Sequence, residues 1–534
     1  MSRHLIGSLL AVVLVASACG GDSPSADAPA TPGPSQPAPA PAERVIRIAT
    51  AELESPNLAP EHAYDLQRAV ELGNVFEGLL DRDGATGALV GVLATSWEQI
   101  DDTTYRFTLR EGVTFHDGSA FTAEGAAASL NHLLREDSRI VQVGTPAGTV
   151  EVVGANEIEI TIGSPSPLFL DRLTMAKLMP PTQVDDEDSY TTEPIGTGPY
   201  ILQDYRVGDS WVLVKNPNWW GLTAADAYGS QNWDRAEFVV RPERATRAAA
   251  LTAGEVDFAF DIGTGGCEAL GDRCVVLGRG GEMIDIRYDA TSSIMGDDRI
   301  RRALDLAMDR EEIVEAVYGA GVETSGQFAL PGFVGYDPTI TAWPHDPVEA
   351  KRLLDEAVAD GVVIDAPIVL LGQTGRFERM EEVFQAVAFQ WERALGIQTD
   401  IQIVEAAQYG PQYRRGSEPP NHLTVPPTRH NVIITTGHSF SVFDVEPYAG
   451  SRWECGGNLN SWCDEEFSER FQAARLLTGP ERDRELRALN RQQYEANAWS
   501  VLSTYPRFHG VSERATFTPR ADGWLLLADF APAS

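Results

Sequence analysis

From Val45 onward the apolar residues switch repeatedly between a two-residue and a 3.6-residue spacing, and that switching restricts the chain to α/β architectures. "VIRIAT" (Val45 to Thr50) reads as a short strand ending at the turn-like "ESPNLAP", and "DLQRAVELGNVFEGLL" puts Leu66, Val70, Gly73 and Phe76 at helical spacing. In "YRFTL", Tyr105, Phe107 and Leu109 share one face while Arg106 and Thr108 share the other. "HDGSAF" turns the chain, and Thr122 is placed to cap a helix that turns Leu130, Leu133 and Leu134 inward. "EIEITI" alternates again, "ILQDY" and "WVLVK" read as a hairpin, and "RAAALTAGEVDFAF" reads as helix, glycine stop, strand. Longer helices follow. Ile300, Leu304, Ala307 and Met308 form one stripe, Asp309 restarts a second helix, and Asp346 with Pro347 opens a third that stops before Gly361. The expectation is α/β lobes with mostly parallel sheets and no internal repeat.

The stretch before Val45 has a different character. Leu5 to Ala18 is an uncharged apolar run, the length of a secretory signal core and too short to span a bilayer. Ala16, Ser17 and Ala18 lead into Cys19, and this resembles a bacterial lipoprotein signal cleaved before a lipidated cysteine, with Ala16 standing where leucine is usual. An ordinary signal cleaved near Ala18 is the other reading, and it leaves Cys19 a stray thiol. Seven of the twenty-four residues from Gly20 to Glu43 are proline. Proline blocks helix and ladder, and the accompanying Ala, Ser and Gly offer too little apolar surface to offset ordering entropy. The segment is expected to be a tether, reaching ~75 Å at full polyproline extension. Residues 1–18 are thus expected to be a signal peptide, and 19–44 a lipidated cysteine and disordered leash.

The remaining ~490 residues can bury a substantial core. Apolar residues make up 43% and charged residues 22%, the usage of an ordinary globular protein. The net charge of −36, from 42 basic and 78 acidic residues, repels phosphate backbones and argues against a nucleic-acid partner. Beyond Cys19, four cysteines form two local pairs, "GGCEALGDRC" (Cys267, Cys274) and "WECGGNLNSWC" (Cys455, Cys463). Each pair encloses a short loop that a disulfide can close after export, and cross-linking between the loops is the alternative. Neither spacing suits structural zinc.

The block "NVFEGLLDRDGATGALVGVLATSWEQIDDTTYRFTLREGVTFHDGSAFTAE" resembles the signature of the dipeptide/oligopeptide-binding family of ABC-transporter substrate-binding proteins, solute-binding family 5. "GTGPYIL", "NPNWW", "GEVDFAF", "RRALDLAMDREEIVEAVYGAG" and "ALGIQTDIQIV" follow in that family's order. The resemblance implies a two-lobed α/β fold of periplasmic-binding-protein type II-like kind, with an extra subdomain in the first lobe. Lobe I would comprise 45–74, 196–283 and 505–534, the extra subdomain 75–195, and lobe II 284–504. It also implies a solute receptor, monomeric and without a cofactor, that serves ABC permease subunits and their ATPase. Such a receptor works outside the cytoplasm, at the cell surface or in the periplasm, held to the membrane by lipid at Cys19 alone. The leash would then keep it near its permease.

In peptide-binding members an aspartate after "GW" and near "DP" pairs with the ligand's α-ammonium. The corresponding stretch here is "NVIITTGHSFSVFDVEPYAGSRW". Anchored on Gly437, it puts His438 at the tryptophan and Ser441 at the aspartate; anchored on Glu446–Pro447, it puts Phe443 there, with Asp444 one step on. The candidate ligand-binding residues are therefore Asp444 and His438, with Phe440, Phe443 and Trp453 as apolar wall and Glu54 from the loop after the first strand. His116 and Asp117 are read as a turn. His422, His430 and His438 share no helical face and do not make a metal site.

Three function classes remain. A transport receptor for peptides leads, with oligosaccharide or a metal complex as the rival solute and eleven tryptophans available for stacking. A sensor presenting its closed form to a membrane partner is the second. An enzyme is not expected, since no GxSxG, HExxH or SxxK constellation and no phosphate-binding GxxxxGK[ST] loop occurs.

Overall fold

The computed structural model describes residues 43–533 except 52–57, 63–71, 143, 185, 226–228, 320–321, 414–431, 439–441, 456, 458 and 461, and does not describe the side chains of 278–282, 410–413 and 437–438. Cys19, Glu54, Phe440, His422 and His430 lie outside the described residues, as does the whole signal and tether.

One ten-stranded sheet runs through the body, in the order Thr399–Val404, Ile368–Gln373, Val432–His438, Cys274–Tyr288, Trp499–Val511, Phe258–Ala259, Val45–Thr50, Arg235–Val240, Ser210–Lys215 and Tyr200–Arg206. Its two halves each hold a parallel trio. Val45–Thr50 lies between Arg235–Val240 and Phe258–Ala259, while Ile368–Gln373 lies between Thr399–Val404 and Val432–His438. The expectation of mostly parallel sheets is corrected: only four of the nine neighbouring pairs are parallel. The reason is connectivity. Strand Cys274–Tyr288 carries the chain from one half to the other and Trp499–Val511 brings it back, so these two must run antiparallel to each other.

Those two strands also carry the break between the halves. Leu277 pairs with Arg507 on the first side and Glu282 with Tyr505 on the second, so Gly278, Arg279, Gly280 and Gly281 face the single residue Pro506. A proline has no N–H for the ladder and glycines oppose little bending, so both crossover strands are weakest at the same level.

Each half covers its sheet with helices that begin where the caps require. Asp309 accepts the Glu312 amide at 3.0 Å and opens Arg310–Tyr318, and Asp346 accepts the Glu349 amide at 2.9 Å and opens Pro347–Ala359. Trp391, fully buried on Met380–Leu395, donates its indole N–H to the Leu304 carbonyl at 2.9 Å. The helical spacing read through Phe76 ends early: Gly73 to Val75 form a turn after Leu72, the Phe76 N–H donates back to the Leu72 carbonyl at 2.8 Å, and Phe76 packs as a core residue.

A separate four-stranded antiparallel sheet, ordered Ala94–Gln99, Thr104–Leu109, Glu157–Ile162, Gly148–Gly154, builds the inserted region. Tyr105, Phe107 and Leu109 enter its core with Leu130, Leu133 and Leu134 of the following helix, whose cap Thr122 accepts the Gly125 amide at 3.2 Å. On the outer face Arg106 bridges Glu98 and Glu159, at 3.2 and 2.6 Å.

Candidate functional site

The motifs that are strongest in sequence converge on structure. Glu77 of "NVFEGLL" is fully buried and accepts hydrogen bonds from the indoles of Trp219 (3.0 Å) and Trp220 (2.8 Å) and from the Thr197 hydroxyl (2.7 Å). Burial pushes its carboxyl up to about 7 against the pull of these donors. Gly198 of "GTGPY" is required for close approach, because a Cβ there would sit 2.6 Å from the Val75 carbonyl oxygen. His116 of "HDG" donates from Nε2 to the Gly198 carbonyl at 3.0 Å, and burial lowers its pKa. Asp117 accepts the Ser119 amide and hydroxyl across the turn. These groups join the inserted region to the first half.

The site itself follows from strand direction. In both halves the parallel strands point their carboxyl ends toward the level where the crossover strands break, so the strand ends at Thr50, Ala259, Gln373 and His438 all face that level. Open parallel sheets bind ligands outside those ends. On the first side, Arg244 makes a two-pronged ion pair with Asp261 (3.1 and 2.8 Å), and its charge holds that carboxyl low against burial. On the second side, Arg376 donates to the Thr436 carbonyl at 3.1 Å, and Glu378 follows two residues later. The return strand links the two sides: the Asp261 N–H donates to His509 Nδ1 at 3.4 Å and the Glu378 N–H to the Tyr505 hydroxyl at 3.1 Å, and burial drives His509 down to about 4, so its ring is neutral. Asp261 Oδ1, Glu378 Oε2 and Thr436 Oγ1 are buried and bond to no other described residue. Charges of both signs thus collect at this level, with unbonded polar atoms on both sides of it.

The residues singled out in the sequence are scattered. His438 ends its strand at the cleft level, in register with Glu282. Asp444 is buried elsewhere: its Oδ2 accepts Arg482 Nε at 2.8 Å and its Oδ1 accepts the Glu446 amide at 2.8 Å. It lines a cavity of about 310 Å³ where the inserted region meets the second half, together with Leu168, Asp171, Val334 and Phe443. Phe443 adopts a left-handed backbone (φ 52°), and its ring lies 4.7 Å from the Arg82 guanidinium and 5.2 Å from Phe333. Trp453 is fully buried against Phe467 and Phe471 and belongs to the core, so it does not form a pocket wall. Cys267 is bonded to Cys274 and Cys455 to Cys463, which leaves no cross-link between the two loops. Sequence reading missed Arg244, Asp261, Arg376 and Glu378. The only local signal for them is their position just after or just before strand ends.

Two lobes joined by a pair of crossover strands, with charged groups collected at the carboxyl ends between them, define a solute-binding protein. The model for bacterial extracellular solute-binding proteins, family 5 (Middle) matches residues 88–419, and the chain belongs to that family. It is a binding component and not a catalyst. The glutathione-binding protein GsiB of Salmonella typhi is 29% identical over 315 residues, 56% of this chain and 59% of that protein. GsiB of Shigella flexneri is 30% identical over 321 residues, with the same shares. These alignments span about three fifths of the relatives' own length. Among solved structures, the ABC transporter substrate-binding protein CtaP of Listeria monocytogenes superposes with a TM-score of 0.78 at 16% identity, covering 92% of this chain and 99% of that one. DppA of Helicobacter pylori in complex with the peptide STSA gives 0.70 at 18%, again over 92% and 99%. These likenesses establish the two-lobed periplasmic-binding-protein type II-like fold.

Proposed function

We propose that this chain is the solute-capturing subunit of an ABC importer, that it takes peptides between two hinged lobes, and that it passes them to a membrane permease. The observation that carries the reading is the coincidence of the glycine–proline break in both crossover strands with the meeting level of the strand carboxyl ends. A ligand touching both walls favours the shut form, because it gains contacts there that the open form lacks. Arg244, Arg376, Asp261 and Glu378 supply both signs of charge, which suits a zwitterionic backbone better than a neutral sugar. The names of relatives and neighbours point the same way, since the GsiB proteins are called glutathione-binding and the Helicobacter structure holds a peptide. Glu54, His438 and Phe440 are proposed as further wall residues, because each lies at or just after the carboxyl end of a cleft strand in chain order. Lobe limits of 45–74, 196–283 and 505–534 against 284–504, with 75–195 inserted, fit the break at Gly278–Gly281. Lipid at Cys19 with a Pro-rich leash would hold this monomeric receptor at the outer face of the membrane.

A thermal-shift screen against short peptides, oligosaccharides and metal complexes tests the solute class. A peptide at a hundred times its dissociation constant should add about 2.7 kcal/mol of stability. If a sugar or a metal complex raises the melting point and no peptide does, the solute class changes and the receptor reading stays. A rise with peptide but no change in lobe separation would favour neither transport nor sensing.

A further inference from the structure

We infer that Glu378 is an inter-lobe clasp that holds the cleft shut without any solute. Its Oε1 reaches across to lobe I and accepts both the Thr264 amide (3.1 Å) and the Thr264 hydroxyl (3.3 Å) at the start of helix Gly263–Leu270. Glu378 belongs to lobe II: Phe377 and Met380 beside it lie in the lobe II core, whereas Ile262 and Leu270 pack with the lobe I residues Ala49 and Leu251.

Three features show that the contact is built in. Gly263 has φ +70°, a conformation that favours glycine, and a Cβ there would lie 2.7 Å from Glu378 Oε1, so a side chain at this position would push the carboxylate aside. The backbone of Glu378 is held at both ends, with its N–H donating to the Tyr505 hydroxyl at 3.1 Å and its carbonyl accepting the Tyr318 hydroxyl at 2.9 Å. Asp261 (φ 37°) and Arg379 (φ 55°), two of the four left-handed non-glycine residues described, flank the contact from opposite lobes. Such conformations persist only where surrounding structure enforces them, and they gather at functional sites. The Arg244 side chain closes on the same spot, its Cδ 3.2 Å from where a Gly263 Cβ would lie. The Cys267–Cys274 bond ties the same helix to the first crossover strand, so the acceptor and its partner are each anchored close to the hinge.

The inference rests on the proposed opening and closing of the lobes, and it makes a claim about the solute-free protein. Hydrogen–deuterium exchange of the full chain, resolved to the Thr264 amide, tests it without any ligand. The wild-type amide should be protected, Glu378→Ala should raise its exchange about tenfold or more, and Glu378→Gln, which keeps an acceptor oxygen, should restore much of the protection. Glu378→Asp, one methylene short, should behave like the alanine variant; it decides the matter if alanine raises exchange throughout lobe II. A Thr264 amide that exchanges equally fast in wild type and Glu378→Asp overturns the clasp. Should that protein still close on a peptide, the receptor reading survives; a protected amide in a chain that binds no solute would leave the clasp and remove the receptor.

Discussion

Glu77 and Trp220, 143 positions apart, meet at 2.8 Å in the fully buried joint between the inserted region and lobe I. Three family motifs supply that joint, and its carboxyl is pushed up to about 7 from an ordinary value near 4.5. The folded pKa lies above the unfolded one, so the native state binds the proton more tightly. The stabilisation is complete below about pH 4.5 and is lost as pH rises to about 7, on the order of 3 kcal/mol in all. Glu77→Gln cannot ionise. Its melting temperature, measured by calorimetry from about pH 5 to 7.5, should fall less than that of the wild type. Asp285 and Asp529, pushed up to about 6 and about 7, leave part of the slope in both proteins. Parallel curves for the two proteins would remove Glu77 as a source of the slope.

Asp444→Asn separates two roles for one carboxylate. Both oxygens are engaged within the protein, and Glu446 is the other anion on Arg482, at 2.9 Å. The variant should lose about 2 kcal/mol of stability in chemical denaturation and keep its affinity for peptide. Unchanged stability with a tenfold weaker peptide complex would restore Asp444 as the ammonium partner.

Gly198→Ala should be poorly tolerated. The added Cβ would lie 2.6 Å from the Val75 carbonyl oxygen and 2.7 Å from that of Asn74, with backbone on both sides and no flexible side chain to yield. A loss of about 3 kcal/mol is expected. Gly112→Ala is the control: at φ +75° it meets nothing within 4 Å, so it reports backbone strain without a clash and its loss should be smaller.

Opening the disulfides should act on local loops. Cys267–Cys274 and Cys455–Cys463 close stretches of seven and eight residues, for which chain entropy gives about 2.5 kcal/mol each. Replacing both cysteines of either pair by serine should lower the melting temperature without lowering secondary structure at room temperature, as read by circular dichroism. The Cys267/Cys274 pair should also speed exchange at Thr264, if the helix it holds presents that amide.

What the sequence by itself determined is everything written in local spacing. Thr122, Asp309 and Asp346 cap helices because a side-chain oxygen reaches an amide two or three residues on, and Tyr105, Phe107 and Leu109 share a face because strand side chains alternate. Only the tertiary structure decided that one mixed sheet runs through both lobes, that Glu77 is enclosed by two indoles, that Asp444 belongs to Arg482, and that Glu378 reaches Thr264 across the cleft. Each of those pairings joins residues tens to hundreds of positions apart. A helix or strand period carries no information at that range; strand order and the chain's two crossings bring the partners together.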